Sequence, residues 1–260
     1  FTYKHILLPI SNPKNAEYTL KAALRLLDNE GTLILLGVLL GVLLARESYP
    51  DRNKNYLDKV NLIMRLMQLA QRFNVEAVPE ITEASSVYDA IVQQIAKHDA
   101  DLTVLGYSLQ STLHKIRHGD IIYPIMKNAK CDVILSNLKY DSAFERILVP
   151  SAGYKHSIAA LKIAATLAEP TQGQITLLHI AEANESEVLD DLKRLASANE
   201  RVSVNVRSGP VAEQIIAIAK DYDALVMGAS ERPRSASVVF GTVVDKVIES
   251  AQSNILVVRA

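Results

Sequence analysis

Ile6-Leu7-Leu8-Pro9 returns as Ile147-Leu148-Val149-Pro150, and Val104-Leu105-Gly106, closed by Gly119, returns as Val226-Met227-Gly228, closed by Gly241. The first pair is separated by 141 positions and each glycine pair by 122, so one unit occurs twice and its first copy carries 19 additional residues. A repeat of this length decides the architecture before any single residue does, because each copy must bury a core. Two units of ordinary domain size follow, 1–140 and 143–260, joined by the polar connector Lys139 to Ser142.

The composition says what fills those cores. Hydrophobic residues make up 49% of 260, aromatics only 5%, and tryptophan is absent, so the interiors are aliphatic. Buried parallel strands with helices on both faces have this make-up. Net charge is -1; residues 1–142 hold 16 basic and 15 acidic side chains and the remainder 12 and 14. Neither half carries the basic footprint of a nucleic-acid binder. The sole cysteine, Cys131, excludes an internal disulfide and a Cys-based zinc site, fits a reducing cytosol, and reads as a small buried hydrophobe. Thr32 to Ala45 is an apolar run of 14 residues, short of the ~20 a membrane helix needs. It reads as a long or bulged interior strand, with Gly-Val-Leu-Leu at 37–40 and again at 41–44. The start at Phe1, without an initiator Met, is read as a piece excised from a longer protein.

Strands are expected at 4–9, 32–44, 75–81, 101–105 and 132–135, then at 146–150, 174–180, 201–207, 224–227 and 254–258. The helices between them include one whose buried stripe is Leu57, Val60, Met64 and Met67, and one capped by Ser85 or Ser86 that carries Val87, Ile91 and Ile95. Alternation of this kind predicts an α/β chain of two tandem doubly wound five-stranded parallel sheets.

Ligands of such sheets bind beyond the carboxyl ends of the strands, where strand order reverses, so the loops after the first and fourth strands matter most. In the second unit Gly228 to Thr242 combines two glycines, small hydroxyl residues, Arg232 and Arg234, and a helix start whose free N–H groups attract anions. It looks like a phosphate-binding loop; residue types alone leave open a strand-end glycine and a helix-start glycine with no ligand.

The strand-Pro openings, the spacing Gly-x-x-x-(nine)-Gly-Thr, Gly209-Pro210-Val211-Ala212-Glu213-Gln214-Ile215-Ile216 and the ending Ile255-Leu256-Val257-Val258-Arg259 together resemble the universal stress protein family, over both units. The resemblance implies the adenine nucleotide alpha hydrolase-like fold and two units packed as a pseudo-dimer through their last strands, with homodimerisation as a further option. It also implies a non-catalytic nucleotide site at Ser151, Ala152, Gly228, Ser230, Arg232, Arg234, Gly241, Thr242 and Val243, with a weaker counterpart at Ser11, Gly106 and Gly119. ATP, AMP or a cyclic adenine dinucleotide is the expected ligand. Family members carry Gly-x-x-Gly, nine residues, then Gly-Ser/Thr; here Glu231 and Leu109 stand at the second glycine and Asp120 replaces the hydroxyl residue. A carboxylate in the first helical turn takes the place of a phosphate, stabilised by about 0.3–1 kcal/mol, so Asp120 makes the first unit the degenerate one. The family's acidic residue after the first strand is replaced by Ser11 and Ala152.

Asn12-Pro13, Gly228-Ala229-Ser230-Glu231 and Phe240-Gly241-Thr242 are more narrowly similar to tandem stress-type regions in the cytosolic tails of cation/proton antiporters and amino-acid permeases. A cytoplasmic module regulating a transporter in cis is the implied role. Two alternatives stand beside it: a free-standing tandem stress protein acting through protein contacts, and a weak ATPase using Ser230, Glu231 and Asp245. His114 and His118, interleaved with Lys115 and Arg117, read as a basic loop rather than a metal site. His179 reads as a packed strand residue, and Glu182, Glu185, Glu187, Asp190 and Asp191 as a solvated helix start. No Gly-x-Ser-x-Gly, His-Glu-x-x-His, Gly-Lys-Ser/Thr or Cys-x-x-Cys occurs.

Overall fold

The computed structural model describes residues 1–10, 13–41, 49–107, 121–151, 154–181, 186–229 and 240–260. The chain divides into two compact units, Thr2–Ser136 and Asn137–Ala260. Residues of the expected connector are tied into the second: Lys139 N and Tyr140 N both donate to Asn254 Oδ1, at 2.8 and 3.4 Å, and Lys139 Nζ donates to the Ala251 carbonyl at 2.6 Å.

In the first unit the described elements are β1 (Tyr3–Pro9), α1 (Pro13–Leu26), β2 (Leu27–Leu40), α2 (Tyr49–Gln71), β3 (Val78–Ala84), α3 (Val87–Lys97), β4 (Leu102–Gly106), α4 (Ile122–Asn128) and β5 (Asp132–Asn137). The strands pair in parallel in the order β3-β2-β1-β4-β5. Ile6, Leu7, Leu33, Leu35 and Leu36 are fully buried, as a parallel sheet covered on both faces requires. Ser86 caps α3, its Oγ accepting from Asp89 N at 3.0 Å and donating to Asp89 Oδ2 at 2.6 Å, a reciprocal N-terminal cap.

Three expectations need correction. The long strand begins at Leu27 rather than Thr32 and is described to Leu40, residues 42–44 of the expected span lying outside the described residues, and its irregularity falls at its start, between the pairs Tyr3↔Leu27 and His5↔Thr32. Gly31 sits there because a Cβ would lie 2.9 Å from the Lys4 carbonyl oxygen. The third strand is shifted to 78–84 because α2 continues to Gln71 and turns through Asn74, whose φ is +59°. The buried face of α2 is Ile63, Leu66 and Ala70, whereas Leu57 and Met64 are 54% and 53% exposed.

The second unit repeats the plan with β6 (Arg146–Pro150), α5 (Tyr154–Ala168), β7 (Gln174–Ile180), α6 (Ser186–Ser197), β8 (Val202–Arg207), α7 (Val211–Ala219), β9 (Ala224–Gly228), α8 (Thr242–Ser250) and β10 (Asn254–Arg259). Its parallel order is β10-β9-β6-β7-β8. Cys131 is buried, with Sγ 3.7 Å from Thr103 Oγ1. Asp190 and Asp191 form exposed pairs with Lys193 and Arg194 at 3.9 and 3.2 Å. No helix among the described residues is long and apolar enough to cross a membrane.

Candidate functional site: the two switch-point crevices

Strand order reverses between β1 and β4 in the first unit and between β6 and β9 in the second, so each sheet has one crevice at the carboxyl ends of these strands. The repeat survives there at the level of single hydrogen bonds. Ile10 N donates to the Leu36 carbonyl and Ser151 N to the Leu178 carbonyl, both at 2.8 Å. Tyr107 N donates to Ser136 O at 3.0 Å, and Ala229 N to Val258 O at 2.7 Å. These equivalences fix which side chains face the same task.

The first crevice is narrow where the described residues line it. Leu8, Pro9, Ile10, Asn15, Ala16, Thr19 and Gly106 enclose a cavity of about 10 Å³, room for roughly one water. Asn15, 7% exposed, donates through Nδ2 to the Tyr107 carbonyl at 2.9 Å, and Thr19, 1% exposed, has Oγ1 3.4 Å from Ser136 Oγ. Gly106 is needed for this closure, since a Cβ there would stand 3.3 Å from Thr19 Oγ1. Lys59 of α2 reaches the rim and donates from Nζ to the Ile10 carbonyl at 3.3 Å. Burial pushes its ammonium pKa down.

At two places the second unit carries smaller residues than the first, and at a third, His156 against Asn15, a larger one. Ala160, fully buried on α5, stands 141 positions after Thr19, and Ala229 stands 122 after Tyr107. Ser151 is buried at the end of β6, with its carbonyl 3.2 Å from Nδ1 of the buried His179. Gly228 ends β9. Gly241 precedes α8 at φ +107° and ψ +150°, a conformation side chains disfavour, and Thr242 and Val243 open the helix. Phe240, 1% exposed, anchors this helix start, and its amide donates to Asp245 Oδ1 at 3.2 Å. Asp245, one of the residues of the weak-ATPase alternative, thus ties the helix start to the Phe240 backbone.

Of the expected site residues, the described structure gathers Ser151 and Gly228 at the switch point and places Gly241, Thr242 and Val243 at the α8 start. Gly106 lines the first crevice. Ser11, Gly119, Ala152, Ser230, Arg232 and Arg234 lie outside the described residues, as do His114, His118, Asp120 and Glu231. Sequence reasoning missed Asn15, Thr19, Ala160 and Lys59, which come from helices rather than loops. Aligning α1 with α5 across the repeat was the signal for the first three.

A family model described as the universal stress protein family matches residues 2–136 and 187–259. The chain belongs to the universal stress protein family. The stretch 137–186, between the two matched segments, holds β6, α5 and β7, whose bonds reproduce those of the first unit. Among curated proteins the chain is 23% identical over 266 residues to the Na(+)/H(+) antiporter NhaS5 of Synechocystis sp., an alignment covering 96% of this chain and 37% of the antiporter. The chain therefore spans little more than a third of that relative's length. Among solved structures it is similar to a universal stress protein from Archaeoglobus fulgidus DSM 4304, with 18% identity, a TM-score of 0.76 and coverage of 97% and 95% of the two chains. The cytoplasmic domain of a prokaryotic cation chloride cotransporter superimposes at a TM-score of 0.68 with 12% identity, covering 99% of this chain and 95% of that one. This tandem stress-protein fold is thus shared with a transporter cytoplasmic region.

Proposed function

We propose that the chain is a non-catalytic regulatory module that binds an adenine nucleotide in its second unit and biases the cycle of an attached or partner membrane transporter from the cytoplasmic side. One observation carries the nucleotide part: Thr19 lines the narrow cavity of the first crevice, whereas alanine stands at the equivalent position 160 in the second. The second unit also has a helix start preceded by a positive-φ glycine, the backbone arrangement that suits a phosphate. Ser151, Gly228, Gly241, Thr242 and Val243 are the described groups assigned to the ligand, joined by Ala152, Ser230, Arg232 and Arg234. The bond from the Phe240 amide to Asp245 Oδ1, which gives this carboxylate a structural task, supports a binding rather than a hydrolytic reading. Likeness to an antiporter across 96% of the chain supports the transporter part. Regulation then requires the ligand to bind two transporter states with different free energies.

The test is a thermal-shift series with ATP, ADP, AMP and cyclic adenine dinucleotides, with and without Mg2+. A ligand at 100 times its Kd adds about 2.7 kcal/mol to stability. A saturable shift that disappears in Gly241→Glu is the expected result. The absence of a shift with every nucleotide would remove the nucleotide part and leave a module acting through protein contacts.

A further inference from the structure

The carbonyl that closes the first strand-loop junction is held by a basic side chain in both units, but by a different residue in each. In the first unit Ile10 O accepts from Lys59 Nζ at 3.3 Å; in the second the equivalent Ser151 O lies 3.2 Å from His179 Nδ1. His179 and Gly37 occupy corresponding places, each following the residue opposite the strand-Pro, since Pro150 pairs with Leu178 and Pro9 with Leu36. A glycine cannot serve the carbonyl. Lysine from α2, a helix of 23 residues against 12 in its counterpart α6, serves it instead. Two unrelated side chains arriving from different elements at one backbone oxygen mark that oxygen as one whose position matters.

We propose that His179 is a positioning residue of the second crevice: its ring fixes the Ser151 carbonyl and so sets how the connection from β6 to α5 leaves the sheet beside the ligand. This rests on the reading that the second unit holds the nucleotide. A carbonyl oxygen only accepts, so the bond requires the proton on Nδ1. With Ser151 N already bonded to Leu178 O, both backbone groups of Ser151 are then fixed to β7. His179 is 2% exposed and lies beneath the junction, so it acts through Ser151 rather than by touching a ligand.

The experiment compares His179→Asn with His179→Gln. The Asn Nδ2 mimics the position of the ring Nδ1, whereas the Gln Nε2 reaches past it. AMP affinity by calorimetry is read alongside the Ser151 carbonyl 13C shift and the melting temperature, with Lys59→Met as a control in the other unit. The expected outcome is that His179→Asn and Lys59→Met keep the wild-type AMP affinity within about twofold, while His179→Gln weakens it about tenfold, roughly the worth of one well-placed hydrogen bond. Equal loss of melting temperature in both histidine variants alongside this split in affinity would separate positioning from stability. His179→Gln with wild-type affinity despite an altered Ser151 shift would overturn the inference while the nucleotide reading stands. A wild-type chain that binds no nucleotide would overturn both.

Discussion

Asp101 and Asp223, 122 positions apart, each clamp the start of the first strand of their own unit. Asp101 accepts from Lys4 N through Oδ2 and from His5 N through Oδ1, both at 2.8 Å, and Asp223 Oδ2 accepts from Glu145 N at 2.9 Å and Arg146 N at 2.8 Å. Backbone bonds close each clamp, Asp101 N to His5 O at 3.0 Å and Asp223 N to Arg146 O at 2.9 Å. Hydrogen bonds to a charged partner contribute about 1.5–3 kcal/mol each. Asp101→Ala and Asp223→Ala are therefore each expected to cost about 3 kcal/mol in urea unfolding, with the Asn variants losing less. A cost below about 0.5 kcal/mol would show that water replaces the carboxylate freely.

Carrying the larger residues of the first unit into the second at 160 and 229 is the most direct test of the contrast between them. The double variant Ala160→Thr, Ala229→Tyr carries Thr19 and Tyr107 across the repeat. It is expected to abolish the thermal shift with AMP while the far-UV spectrum stays unchanged. Ala160 is fully buried, so overpacking of about 1–3 kcal/mol is expected even without ligand. Ala229→Tyr alone, at a half-buried site, supplies the milder variant. Undiminished AMP binding in both would mean that crevice size does not decide which unit binds.

Helix α2 separates two readings of one sequence. Leu57, Val60, Met64 and Met67 form a helical stripe, yet the structure buries Ile63, Leu66 and Ala70, on a neighbouring face. Gly37 permits this choice: a Cβ there would stand 3.2 Å from Ile63 Cδ1, so the bare backbone admits Ile63 against β2. Leu66→Ala is expected to cost about 2–5 kcal/mol, whereas Leu57→Ala and Met64→Ala each stay within about 0.5 kcal/mol. The reverse order in chemical unfolding would restore the stripe read from sequence.

The same helix shows where legibility ended. Strand positions in the second unit were readable because apolar runs there are short and bounded by turn residues; β6 and β7 begin and end where expected. In the first unit the leucine-rich run around Thr32 has no internal punctuation that fixes its ends, and the bulge at its start depends on the Lys4 carbonyl beside Gly31. The Gly228 and Gly241 pair was visible as a motif. The Thr19 and Ala160 contrast was not, because it matters only once α1 and α5 are known to lie against the crevices.

Glu80, on the edge strand β3, joins that strand to the end of α3. Its Oε1 accepts from Lys97 Nζ at 2.6 Å and lies 3.0 Å from His98 Nε2. The Lys97 hydrogen bond, followed by the Lys97 charge and the bond to His98, holds the carboxyl below its ordinary value of 4.5, with burial opposing. The folded chain thus binds this proton less readily than the unfolded chain, so the contribution is complete above the unfolded value and is lost as pH falls through the lower folded one. The stability difference between wild type and Glu80→Gln, from urea titrations, is therefore expected to be largest at about pH 5–7 and to shrink steadily below about pH 4.5. Lys97→Met should remove most of this pH dependence, because Lys97 supplies the leading cause. A difference that stays constant down to about pH 3 would mean that Glu80 titrates alike in the folded and unfolded chains and that the cluster does not secure the edge strand.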